Sequence, residues 1–69
     1  MELKNGLIEL GQELNVSQRK LAEDFGYEFP NNYYVSRDKG CMSLRKLKSG
    51  CDKVGAKLVI EINNKRIEL

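Results

Sequence analysis

Residues 14–26, Leu-Asn-Val-Ser-Gln-Arg-Lys-Leu-Ala-Glu-Asp-Phe-Gly, constrain this chain more than any other stretch. They read as a helix end, a tight link and a short capped helix that stops at glycine. Ser17 is a preferred N-cap, whose hydroxyl accepts a hydrogen bond from one of the backbone N–H groups that the first helical turn leaves unpaired. Leu21, Ala22 and Phe25 share one face of the helix that follows, with Arg19, Lys20, Glu23 and Asp24 directed elsewhere. Gly26 suits the positive φ that ends a helix, and Asn15, the usual second choice for that conformation, stands where the preceding helix must turn. The small Ala22 matters most, because two helices crossing at a steep angle need a small side chain near their contact. The stretch is the first half of a helix-turn-helix.

Apolar periodicity extends this into a mostly α fold with a C-terminal β extension. Leu3, Leu7, Leu10 and Leu14 form an unbroken stripe and predict helix 1 over about residues 2–14. Gly6 and Gly11 weaken it, and Gly11 marks a close helix contact. Helix 2 runs over about 17–25. Pro30 suits the first turn of a third helix, over about 30–38, where its missing N–H costs nothing. Ser43 caps a fourth, over about 44–54, with Leu44, Leu47, Cys51 and Val54 inside and Gly55 at its end. Residues 1–56 therefore form the helix-turn-helix domain, and residues 57–69 its β extension. There the pattern switches to alternation: Leu58, Ile60 and Ile62 lie opposite Glu61, and after Asn63-Asn64 it resumes with Ile67 and Leu69 against Arg66 and Glu68. Asn-Asn tolerates positive φ, so this tail reads as a β-hairpin or as one bent strand.

Two blocks of residues resemble the XRE/Cro-like family of phage and bacterial repressors. The family's second helix commonly opens Ser-Gln, continues through Leu-Ala and closes at Gly, matched here by Ser17-Gln18, Leu21-Ala22 and Gly26. Ser43-Leu44-Arg45-Lys46-Leu47, then Cys51, Val54-Gly55 and Lys57-Leu58, look like its closing helix and exit. Together the blocks span most of residues 14–58. The chain departs from the pattern between Gly26 and Gly40, which lie farther apart than the family's usual spacing. There Val35 is followed at i+3 by Asp38 and Tyr34 by Arg37, where the family has two apolar residues three apart. Gly50 stands where a large aliphatic is usual, and glycine inside a helix costs roughly 0.5–1 kcal/mol relative to alanine. Either Tyr27, Phe29, Tyr33 or Tyr34 repacks the core, or the domain is marginal.

The resemblance implies a DNA-binding transcriptional regulator, in which one helix enters the major groove and neighbouring elements hold phosphates. Charge agrees in its distribution: a net +2 overall divides into −3 over residues 1–28 and +5 over residues 29–57. A basic middle beside an acidic first helix suits a polyphosphate partner. Asn31 and Asn32 are apt at the entering end of the helix, because a carboxamide can bond adenine through N6 and N7 together. Tyr33 and Tyr34 suit the sugar-phosphate backbone or a thymine methyl, with one of the two expected to fill the core instead. Ser36 and Arg37, one turn on, can reach bases or phosphates, and Lys39, placed in the following loop, suits a phosphate. Arg45 and Lys46 can clamp the flanking backbone. Gln18 matches the family's helix 2 glutamine, which by resemblance bonds a phosphate and braces the recognition helix.

The chain has 69 residues, and below about 70–80 residues a core rarely supplies more than roughly 3–5 kcal/mol, so self-association is expected. The tail residues Leu58, Ile60, Ile62, Ile67 and Leu69 are the expected dimer contact, with a hairpin folded back on its own domain as the alternative. Zero histidines, no Gly-rich phosphate loop and no clustered carboxylates argue against an enzyme. Cys41 and Cys51 lack a CxxC partner, so neither metal nor other cofactor is expected, and both are expected reduced, with Cys51 a small buried filler. Neither a membrane span nor a signal peptide is expected, which places the protein in the cytoplasm. The competing reading is an antitoxin or small inhibitor protein whose β tail grips a protein partner.

Overall fold

Three residues decide where the second, third and fourth helices begin. Ser17 Oγ accepts from the Lys20 N–H at 3.1 Å, Ser43 Oγ accepts from the Lys46 N–H at 3.2 Å, and Pro30 occupies the first helical position after Phe29. In the computed structural model, which describes residues 2–69, the helices are α1 Leu3–Leu14, which follows Glu2 without a side-chain cap, α2 Gln18–Asp24, α3 Pro30–Lys39 and α4 Leu44–Val54. Asn15 at φ 56°, Gly40 at 68° and Gly55 at 77° end α1, α3 and α4 in the left-handed conformation. Lys39 is therefore the last residue of α3 and not part of the loop.

The core consists of Leu7, Leu21, Ala22, Phe25, Tyr33 and Cys51. Helices α1, α2 and α3 pack against one another in all three pairings, whereas α4 reaches the bundle through α2, with no Cα within 8 Å of α1 or α3. Ala22 has no accessible surface. Gly50 explains itself through Phe25: a Cβ at position 50 would overlap the face of the Phe25 ring, so the aromatic takes the volume that a side chain on α4 would otherwise fill. Tyr33 supplies the second large ring, edge-on to Phe25 at 6.3 Å and to Tyr27 and Tyr34 at 5.7 Å each. The core is thus repacked by Phe25 and Tyr33; Phe29 remains 59% exposed. Leu14 and Leu44, expected on inner faces, are exposed, because each stands at the end of its helix beyond the neighbours that would cover it.

The tail forms an intrachain antiparallel hairpin, β1 Val59–Ile62 and β2 Lys65–Glu68. Asn63 and Asn64 both have positive φ, 48° and 64°, as a two-residue turn with the twist of its strands requires. The register pairs Ile60 with Ile67 and Ile62 with Lys65 on one face, and Val59 with Glu68 and Glu61 with Arg66 on the other. The Leu69 N–H donates to the Leu58 carbonyl at 2.8 Å and extends the ladder. No strand Cα lies within 8 Å of a helix Cα, so the hairpin stands clear of the bundle. Leu58 is the exception among the five expected dimer contacts: it is half-buried and packs on the helical core, leaving Ile60, Ile62, Ile67 and Leu69 exposed. Among the described residues no helix is long and apolar enough to cross a membrane.

Candidate nucleic-acid interface

Gln18, the first residue of α2, ties three helices together. Its Nε2 donates to the Leu7 carbonyl of α1 at 2.9 Å, while its Oε1 accepts from Tyr33 Oη at 2.8 Å and Arg37 Nη1 at 3.1 Å, both from α3. Gly11 makes room for this amide, since a Cβ there would stand 2.6 Å from Gln18 Nε2 and 3.1 Å from the Val16 carbonyl. Burial drives the Tyr33 phenol up to about 12, so its hydroxyl remains a donor to Gln18 through the neutral range. Gln18 therefore braces α3 against α1 and α2.

This network engages two of the residues expected to contact DNA, one of them the tyrosine expected in the core. Tyr33 has no accessible surface, because its ring completes the core and its hydroxyl is spent on Gln18. The Arg37 side chain is only 12% exposed: Nε pairs with Asp38 Oδ1 at 2.9 Å, Nη1 bonds Gln18, and the guanidinium lies 5.2 Å from the Tyr34 ring centroid. These contacts hold the guanidinium against α2 and α3. Lys46 is also tethered. Its Nζ donates to the Gly26 carbonyl at 3.1 Å and sits 4.2 Å from the Tyr27 ring centroid, clasping the link between α2 and α3.

The remaining expected residues stay at the surface. Asn31 and Asn32 are exposed in the first turn of α3. Tyr34 and Ser36 are half-buried, and Lys39 and Arg45 are exposed. Neither Lys39 nor Arg45 forms an ion pair among the described residues. Two further residues join them. Arg19, exposed and equally unpaired, lines a shallow depression of about 350 Å³ with Phe29, Pro30, Asn31 and Tyr34. Val35 is 52% exposed, one helical turn beyond Asn31. Arg19 could have been found from its place opposite Leu21, Ala22 and Phe25 on the helix; Val35 carries no such signal, since an aliphatic in a helix reads first as core.

The resulting surface offers two carboxamides at the start of a braced helix, an aliphatic one turn on, and a free guanidinium beside them. Such a set can hydrogen-bond base edges and neutralise phosphate. The chain matches no family model, no curated protein and no solved structure.

Proposed function

We propose that this protein is a sequence-specific, double-stranded-DNA-binding regulator of transcription, of the XRE/Cro-like helix-turn-helix kind, working in the cytoplasm without a catalytic step. It reads a palindromic site as a homodimer. In this reading α2 and α3 are the helix-turn-helix pair and α3 enters the major groove. The observation that carries it is the exposure of Asn31 and Asn32 in the first turn of α3, on a helix held to α2 and α1 by the Gln18 amide. Base readout needs that combination, because a side chain can discriminate a base edge only if the backbone behind it is fixed. Arg19, Lys39 and Arg45 are the phosphate contacts, in place of the engaged Arg37.

Selection of genomic fragments with the purified full-length protein tests this. It should recover one palindromic site, bound with a log K that falls with log salt at about −0.9 per phosphate neutralised. Arg45→Ala should flatten that slope by about 1 on every sequence, whereas Asn31→Ala should cost roughly 1–3 kcal/mol at the selected site and much less on unrelated DNA. Failure to enrich any fragment, together with salt-independent association, refutes the proposal. The second reading is an antitoxin or interaction protein whose hairpin grips a protein partner, and a stoichiometric protein partner in place of DNA is the result that would select it.

A further inference from the structure

The molecule carries two unpartnered apolar surfaces that cannot satisfy each other within one chain. The first is the outer face of the hairpin, where Ile60, Ile62, Ile67 and Leu69 are 50%, 57%, 50% and 41% exposed. The second is an open groove of about 740 Å³ between α1, α4 and the root of the hairpin, walled by Leu3, Leu7, Leu10, Leu47, Leu58 and Val59. It exists because α1 and α4 keep their backbones apart. The pleat keeps the two surfaces separate: Val59, Glu61 and Arg66 turn toward the chain's own groove, so Ile60, Ile62 and Ile67, on the opposite face, turn away from it.

We propose that a second copy of this chain fills the groove, each copy seating the Ile60–Ile62–Ile67–Leu69 face of its hairpin between α1 and α4 of the other. Three observations select a second copy over a different protein. Each chain offers both halves of the contact, so a two-fold axis uses each half twice and closes without leaving either exposed. An exposed apolar patch on one hairpin is on the order of a few hundred Å², short of the roughly 800 Å² per partner of a stable interface. Burying the groove in the same step makes up the difference. Charge also matches: Lys65 shares the outer face with Ile62, Glu2 lines the groove, and neither forms an ion pair within the chain among the described residues. The reciprocal fit brings those opposite charges together.

This arrangement differs from a strand shared edge to edge, because each hairpin keeps its own pairing. It gives the homodimer of the proposed function its contact, yet mass can be measured without DNA. A dimer that ignores DNA refutes the function and leaves the interface standing, and a DNA-binding chain that stays monomeric does the reverse.

Sedimentation equilibrium of the full chain from micromolar to about 100 µM should show a monomer–dimer equilibrium. Ile62→Lys alters the outer face at an exposed position. Leu3→Glu charges the groove at the first turn of α1, where an acidic side chain favours the helix. Each should raise the dimer dissociation constant at least about tenfold, with circular dichroism unchanged. An equimolar mixture of the two should regain association, since a mixed dimer keeps one unaltered face in one unaltered groove and sets Lys against Glu at the other. Ile67→Lys, equally exposed, repeats the test if Ile62→Lys loses helicity. The proposal is overturned if the unaltered chain stays monomeric throughout, if Leu3→Glu dimerises like the unaltered chain, or if the mixture associates no better than its components.

Discussion

Replacing Gly50 by alanine sets two effects of known size against each other. Inside an exposed helix the change would stabilise by about 1 kcal/mol, because glycine gives up more backbone freedom on folding. Here the new methyl would overlap the Phe25 ring, itself 1% exposed and in edge contact with Tyr33. The ring cannot swing into solvent, so it must push Tyr33 or lift α4. Overpacking of this kind costs about 1–3 kcal/mol, and a clash with a rigid ring belongs near the top of that range. The net expectation is a loss of about 2 kcal/mol, close to half of what a core this small supplies. That corresponds to a fall in Tm of roughly 8–16 °C. Urea denaturation followed by circular dichroism measures it. Phe25→Leu alone leaves a void beside Gly50, so the double variant should be more stable than the sum of the single losses by about 1 kcal/mol or more. A Gly50→Ala protein as stable as the original, or a strictly additive cycle, would refute the account of why glycine stands there.

Two other expectations concern titratable side chains. Burial holds the Tyr33 phenol neutral to about pH 12, against an unfolded value near 10, so its contribution to stability is complete below pH 10 and lost as pH rises toward 12. The stability gap between the unaltered protein and Tyr33→Phe should therefore shrink by roughly 1 kcal/mol between pH 10 and 11, read from urea midpoints, and a constant gap would contradict it. Both thiols are free, Cys41 exposed and Cys51 buried, with burial pushing the Cys51 thiol up. Iodoacetamide should alkylate Cys41 promptly and Cys51 only on addition of denaturant; equal rates in the native protein would show that Cys51 is not enclosed.

Where the sequence was legible, the signal was local. Ser17, Ser43, Pro30, Asn15, Gly40 and Gly55 each act on the backbone within one turn, and the helices begin and end within a residue or two of where those residues place them. Asn63-Asn64 likewise specifies its own turn. The illegible part is tertiary. Gly50 gave no hint that Phe25, a side chain from another element, occupies its space. Arg37 looked like a free cation because its engagement depends on Gln18 and Tyr33 arriving beside it from α2 and from one turn back on α3. Leu58 and Ile60 carry the same alternation, yet Leu58 meets the core and Ile60 does not, since the hairpin leaves the bundle between them.

The attachment of α4 determines how the molecule comes apart. Helices α1, α2 and α3 form a closed triangle, each touching the other two and all three bonded to one amide, whereas α4 hangs on α2 with the Phe25 ring against Gly50. An opening that parts α4 from the Phe25 ring and frees Cys51 and Lys46 should release α4 and the hairpin together while the triangle stays closed. Hydrogen exchange should accordingly be fastest in the C-terminal third and slowest around Leu21 and Tyr33, and uniform protection along the chain would refute this order. The carboxamides of Asn31 and Asn32 thus stand on the part of the chain expected to open last.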